Sequence, residues 1–209
     1  MAIHNLFPQP VGLYKLERDL TKKEFDFIKG QETRPNTGNK TSINNTILYN
    51  KEMTRLRDFI ETKISEYLKV VYNPKHNVNL KVTQSWTNYT EKGEFHHKHA
   101  HPNSFVSGVF YFQANKKIDK IHFYRDEFQQ IKLPPENWNA WNSESWWFEV
   151  GTGDLVLFPS SLMHMVEEVQ GNQTRISLSF NTFPLGLFGD EMNLTVLQIG
   201  EENGTLRIS

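Results

Sequence analysis

The spacing of apolar residues changes once along the chain, near residue 75. Before that point it is helical. Met53, Leu56, Phe59, Ile60, Ile64, Tyr67, Leu68 and Val71 recur at steps of three and four, which predicts a helix from about Lys51 to Tyr72 with one apolar stripe. Asn73-Pro74 ends it, and the stripe is expected to pack against the outside of a sheet. A shorter helix is predicted over 21–29. Thr21-Lys22-Lys23-Glu24 forms a capping box, Leu20 and Phe25 a hydrophobic staple, and Gly30 the stop. Ahead of it, Leu6 to Tyr14 reads as an edge strand, because Pro8 and Pro10 cannot donate to a ladder. Residues 31–47, rich in Asn, Thr and Gly, read as a loop.

Beyond residue 75 the period is two. Val78, Leu80, Val82, Gln84 and Trp86 alternate with Asn79, Lys81, Thr83 and Ser85, which predicts a half-buried strand. Further strands fit 104–112, 120–124, 145–150, 154–158, 174–182 and 192–199, with a loop over 126–144 that holds Pro134-Pro135, Trp138 and Trp141. Helices followed by many short strands argue for a mainly β protein, a sandwich or jelly roll buttressed by N-terminal helices. There is no internal repeat and no linker. The expectation is a single domain over 1–209, with 1–75 as supporting strand and helices and 76–209 as the β core.

Composition narrows the chemistry. Lys+Arg is 23 and Asp+Glu 24, a net charge of 23 − 24 = −1, so no basic excess invites nucleic acid or an anionic membrane. The absence of cysteine excludes disulfides, thiolate metal sites and cysteine nucleophiles. The N-terminus lacks a signal-peptide pattern, and the apolar runs are too short to cross a bilayer. The expectation is a soluble cytoplasmic protein. Aromatics at 13 %, with 5 tryptophans, favour a lined cavity. Trp86, Trp138, Trp141, Trp146 and Trp147 are candidates to line it or hold a substrate, with at least half of them expected as ordinary core. Substrate and oligomeric state have no signal in the sequence.

Half of the 8 histidines fall within six residues, in Gly93-Glu94-Phe95-His96-His97-Lys98-His99-Ala100-His101-Pro102. Neutral imidazole is the commonest metal-ligating side chain, and in extended chain His97, His99 and His101 can share one face. A solvated histidine-rich loop that binds metal adventitiously is the plainer alternative. A second segment, Gly151 to His164, is a turn, a strand and a histidine just beyond it. In the strand after that, Ile176, Leu178 and Phe180 face one side while Arg175, Ser177, Ser179 and Asn181 face the other. A guanidinium turned into a barrel is costly unless paired. A ligand carboxylate would pair it bidentately, with the Ser177 hydroxyl as a further donor; simple solvation of the polar face is the alternative. The separation 164 − 101 = 63 leaves room for about four strands, enough to fold His164 back onto His99 and His101. The separation 175 − 164 = 11 puts Arg175 on the next strand.

This arrangement resembles the 2-oxoglutarate/Fe(II)-dependent oxygenases, and within them a group found in bacteriophages and marine bacteria. The likeness rests on Leu6-Phe7-Pro8, His99-Ala100-His101-Pro102, Ser107-Gly108-Val109-Phe110-Tyr111, Gly153 to His164, and Arg175-Ile176-Ser177, in that order. It implies a double-stranded β-helix, Fe(II) held by His99, His101 and His164, and 2-oxoglutarate whose far carboxylate meets Arg175 and Ser177, with Tyr111 as an extra hydrogen bond. The implied reaction is hydroxylation coupled to decarboxylation of the oxoacid. One departure stands out: histidine occupies the place of the usual carboxylate ligand. His97 with His99 is a rival pairing, and Glu94 is a weaker candidate for the missing carboxylate. Two other readings remain open at this level. One is a three-histidine cupin-type enzyme that uses no oxoacid; the other is a non-catalytic jelly-roll binding module.

Overall fold

Alternating apolar residues on short strands need a second layer to cover each face, and the fold supplies three layers. The computed structural model describes residues 1–125, 131, 133–202 and 205–206. In chain order the elements are β1 (Gly12–Lys15), α1 (Lys22–Lys29), β2 (Thr33–Asn36), β3 (Asn39–Ser42), α2 (Thr54–Val71), β4 (Val78–Thr90), β5 (His96–His99), β6 (Val106–Gln113), β7 (Lys120–Tyr124), β8 (Ser145–Glu149), β9 (Asp154–Pro159), β10 (His164–Val166), β11 (Arg175–Phe188) and β12 (Leu197–Ile199). The large antiparallel sheet runs β1-β9-β6-β11-β4-β3-β2, with β12 added to β11; the small one runs β5-β10-β7-β8. Two packed antiparallel sheets with helices outside the larger one make the helix-buttressed jelly roll that the residue pattern implies. None of the described helices is long and apolar enough to cross a membrane.

The apolar stripe of α2 (Leu56, Ile60, Ile64, Tyr67) packs on the outer face of the large sheet, against Val82, Phe110, Leu155, Leu157, Leu178 and Phe180. The inner face sends Val109, Tyr111, Val156 and Phe158 against Ile121 and Phe123 of the small sheet. Strands β6, β9 and β11 are thus buried on both sides, which is why β6 and β9 read as nearly unbroken apolar runs. Gly108 of β6 has no space for a side chain: a Cβ there would lie 2.2 Å from Phe180 and 2.7 Å from Leu157.

Most predicted elements are present. The capping box of α1 is reciprocal: Glu24 N–H donates to Thr21 Oγ1 at 3.2 Å and Thr21 N–H to Glu24 Oε2 at 2.7 Å. The N-terminal strand starts only at Gly12, after both prolines, and pairs with β9 alone at the sheet edge. Two expectations need correction. Residues 31–47 are not a loop throughout; β2 and β3 form a hairpin that extends the large sheet, closed by Thr37-Gly38 with Gly38 at φ +85°. The Asn, Thr and Gly that suggested a loop supply the turn. The strand expected over 192–199 is a 3-10 turn at Glu191–Asn193 followed by the short β12. Of the loop placed over 126–144, residues 126–130 and 132 lie outside the described residues.

The consequential difference lies in β4. Pairing with β11 slips between Asn181↔Gln84 and Thr182↔Val82, so Thr83 is an extra residue. Such a bulge inverts the alternation. Val82 faces the helices, yet after the bulge Ser85 and Tyr89 take that side, with Tyr89 packed on the outer core and Ser85 Oγ accepting from Leu48 N–H at 2.9 Å. Trp86 and Asn88, which unbroken period-two counting would set beside different neighbours, turn inward.

Candidate metal centre and adjoining cleft

Strand β5 and the three residues of β10 bring the separated histidines together. His164 lies opposite His99 in register, and four strands, β6 to β9, fill the interval between His101 and His164. His101, just past β5, is fixed by its backbone N–H, which donates to Ser160 O at 2.9 Å beyond the end of β9. The ligating atoms of His99, His101 and His164 lie within 4.8 Å of one another. His99 Nδ1 sits 2.8 Å from His97 O and His164 Nδ1 3.0 Å from Leu162 O. A carbonyl can only accept, so both Nδ1 atoms carry the proton and each Nε2 keeps its lone pair.

Burial keeps these rings neutral. His164 is pushed down to about 3 by desolvation and then by His99; His101 falls to about 4 for the same two reasons. His99 is lowered too, by burial first. Five imidazoles crowd here, for His96 stacks on His99 at 4.7 Å and lines the cleft, and the His97 ring is 4.8 Å from that of His99. His96, His97 and His99 form a second set within ligand distance. The two sets share His99, and its Nδ1 is already engaged, so one ion at a time is what His99 can serve. Glu94 belongs to neither set. Its carboxylate accepts from Glu91 N–H at 2.8 Å and closes the turn before β5. Among the described residues the clustered donors are all imidazole.

From the histidines a narrow cleft runs between the sheets to Arg175. Tyr111, Ser177 and Arg175, three sequence candidates, line it. Arg175 does not sit beside His164 in one sheet: β10 and β11 belong to opposite sheets and face each other. Arg175 is 4 % exposed, its Nε has no hydrogen-bond partner, and among the described residues no carboxylate lies within ion-pair distance. The Tyr111 ring is 6.0 Å from the guanidinium, and the buried Tyr111 hydroxyl has no partner either. Burial pushes that phenol up to about 12, so it stays a donor. Orphaned donors this deep are rare in folded proteins. Three unpartnered polar atoms, Arg175 Nε, the Tyr111 hydroxyl and Asn88 Oδ1, belong to residues that line the same cleft.

Trp86, Asn88, His96 and Ser179 also line it; Trp86 is one of the aromatic residues expected to line a cavity, whereas the other three carry no site role in the sequence reading. Polar alternation on β11 hints at Ser179; the bulge at Thr83 hides Asn88. The other tryptophans are neither lining nor core: Trp138, Trp141, Trp146 and Trp147 are 65 %, 56 %, 40 % and 43 % exposed. Trp147 stacks on His122 at 6.0 Å.

Residues 84–181 match a protein-family model described as "Putative 2OG-Fe(II) oxygenase". Among solved structures, the chain is similar to HygX from Streptomyces hygroscopicus with nickel, 2-oxoglutarate and hygromycin B bound, at 11 % identity and TM-score 0.56, covering 83 % of this chain and 82 % of that one. It is similar to a prolyl hydroxylase of Trichoplax adhaerens in complex with a hypoxia inducible factor peptide fragment, at 14 % identity and TM-score 0.56, with 83 % of each chain covered. A prolyl-4-hydroxylase of Pseudomonas putida matches at 13 % identity and TM-score 0.51, over 83 % of this chain and 92 % of that one. At such identities the likeness is one of fold. No curated protein matches the sequence.

Proposed function

We infer that this chain belongs, through its residues 84–181, to the 2OG-Fe(II) oxygenases, and that it is a non-haem Fe(II)- and 2-oxoglutarate-dependent hydroxylase. In this reading His99, His101 and His164 hold the metal. Arg175 and Ser177, with the Tyr111 hydroxyl, hold the far carboxylate of 2-oxoglutarate. The observation that carries the reading is Arg175: a buried guanidinium with no carboxylate within ion-pair distance among the described residues, opening on the same cleft as three imidazoles. A dicarboxylate chelating a metal at the histidines would supply the missing counter-charge.

Fe(II), with the oxoacid and dioxygen, supplies an oxidation that yields succinate and carbon dioxide and hydroxylates a C–H bond. The chain's own residues bind, orient and exclude water. The carbonyls of His97 and Leu162 hold two of the rings with Nε2 free. Val109 and Ile121 give the cleft apolar walls. Three neutral ligands leave the full double charge on the metal, which favours an anionic chelator.

The test is anaerobic addition of 2-oxoglutarate to the Fe(II)-loaded protein. A weak visible charge-transfer band is expected, with stabilisation of about 2.7 kcal/mol at a concentration one hundred times Kd. Absence of both would remove 2-oxoglutarate from the account. The all-imidazole donor set keeps a second reading in view, a three-histidine enzyme that uses no oxoacid, and turnover of a substrate without 2-oxoglutarate would favour it. Less than about a tenth of an equivalent of metal after reconstitution would leave a binding module.

A further inference from the structure

A centre of three histidines leaves two of the five clustered rings without a role. His99 is the hub of the group: its ring lies 4.7 Å from that of His96, 4.8 Å from His97, 4.9 Å from His101 and 4.4 Å from His164. Two triads meet on it, His96/His97/His99 and His99/His101/His164, and in each the ligand atoms lie within 4.8 Å of one another. His97 adds a second observation. Its Nδ1 is buried without a hydrogen-bond partner, a state rare in folded proteins and one that a metal ion beside it would relieve.

The triads differ in access and in rigidity. Strand β5 is an edge of the small sheet, paired only with β10. Its triad falls within residues 96–99, and all three rings are partly exposed. The other triad joins distant segments and ends on His164, which is 5 % exposed. Carbonyls lock two of its rings, whereas no hydrogen bond fixes the rings of His96 and His97 among the described residues. Fixed ligands away from water hold an ion more tightly; the looser rings at the sheet edge meet it first. His97 O keeps His99 Nδ1 engaged at 2.8 Å, so His99 offers Nε2 to either triad. An ion on that nitrogen can trade His96 and His97 for His101 and His164 one ring at a time. Each trade replaces one neutral imidazole by another, and the ion is never without protein ligands.

We propose that His96, His97 and His99 form a second metal-binding station for a divalent first-row ion. It is an entry site, from which the ion passes, pivoting on His99, to His101 and His164. This rests on the metal reading above and asks nothing of the oxoacid. Only metal–nitrogen bonds are exchanged, and the ion keeps its charge.

The experiment mixes metal-free protein with Co(II) alone in a stopped-flow instrument and follows the visible absorption of the bound ion. It compares wild type, His97→Ala, His97→Asn and the double variant His101→Ala/His164→Ala. Wild type should load in two phases, a capture that speeds up with Co(II) concentration and a rearrangement that does not. His97→Ala should lose the capture phase and load roughly tenfold more slowly, yet reach the wild-type stoichiometry and final spectrum. His97→Asn should behave alike, and it serves if the alanine variant does not fold. The double variant should hold one Co(II), at least roughly a hundredfold more weakly than wild type, with the spectrum of the captured intermediate. Adding His97→Ala to it should abolish that binding. Loading of both His97 variants at the wild-type rate overturns the entry role, and any Co(II) on the double variant is then adventitious. A folded double variant that binds no Co(II) overturns the station itself and leaves the inner centre intact. Failure of the wild type to bind metal overturns the metal reading, and this inference with it.

Discussion

Arg175 is where stability and function pull apart. A buried guanidinium with no ion pair destabilises the free protein, because desolvation outweighs the more distant attraction of Tyr111 and Asp119. Replacing it by methionine, of similar length and uncharged, should leave the ligand-free protein as stable as wild type or stabilise it by about 1–3 kcal/mol. The same change should abolish stabilisation by 2-oxoglutarate. Denaturant midpoints with and without the oxoacid read both; a large loss of stability in ligand-free Arg175→Met would mean that the charge is already paired. The shared ring of His99 gives a second test. His99→Ala, His101→Ala and His164→Ala should each weaken Fe(II) binding by at least about a hundredfold, more than loss of an outer hydrogen bond costs, while His97→Ala should hold one equivalent. The reverse pattern, loss in His97→Ala and retention in His164→Ala, would move the ion to the rival set. The buried rings also fix a pH dependence. His164 and His101 are held down to about 3 and about 4, against an ordinary value near 6.5. Between those limits the unfolded chain binds more protons than the folded one, so stability rises with pH. The metal-free protein should therefore be at full stability above about pH 6.5 and lose it progressively down to about pH 3. Metal-loaded protein should fall more steeply, since protons compete for the same nitrogens. A flat profile from pH 4 to 6.5 in urea melts would contradict burial of the neutral rings.

At the level of elements, the tightest constraint is Gly108. A methyl group there meets Phe180 on one strand and Leu157 on another, so Gly108→Ala should destabilise by about 1–3 kcal/mol through overpacking. Combining it with Phe180→Leu should recover part of the loss in chemical denaturation. Additive losses would instead point to the backbone of β6. The same elements show what the sequence makes legible. Local signals survive folding: the box at Thr21 and Glu24, the stripe of α2, the inward Arg175, Ser177 and Ser179 of β11, each set by neighbours a few residues away. The histidines were legible as a set because only imidazoles cluster there. What stayed hidden depends on pairing between distant strands. One extra residue at Thr83 inverts β4, and nothing in its local composition marks Thr83 over Thr87. The hairpin of β2 and β3 was masked because its turn residues outnumber its apolar ones. The tryptophans of the 138–147 region failed for a further reason. Aromatic content predicts burial only on average, and these rings remain well exposed.

Across the whole molecule, the candidate site is divided between the two sheets. His99 and His164 belong to the small sheet, and Arg175, Ser177 and Tyr111 to the large one. The sheets already share an apolar layer of Val109, Tyr111, Ile121, Phe123 and Phe158, but at the cleft end their polar groups face each other without a bond between the histidines and Arg175. A metal alone would tie β5 to β10, both within the small sheet, and leave Arg175 orphaned. An oxoacid alone would satisfy Arg175 but would find three neutral rings at its other end. Only the two together span the gap. Binding should accordingly be strongly synergistic: 2-oxoglutarate should stabilise the metal-loaded protein by the amount mass action requires and the metal-free protein by little. Hydrogen exchange localises the effect. Metal should slow exchange in β5 and β10, and subsequent oxoacid should extend protection to β11 and β4 across the barrel. Linkage requires the coupling to be reciprocal, so 2-oxoglutarate must tighten metal binding by the same factor. Independent binding of the two, each with protection confined to its own sheet, would mean that no ligand bridges the cleft, and the guanidinium would then need a different partner.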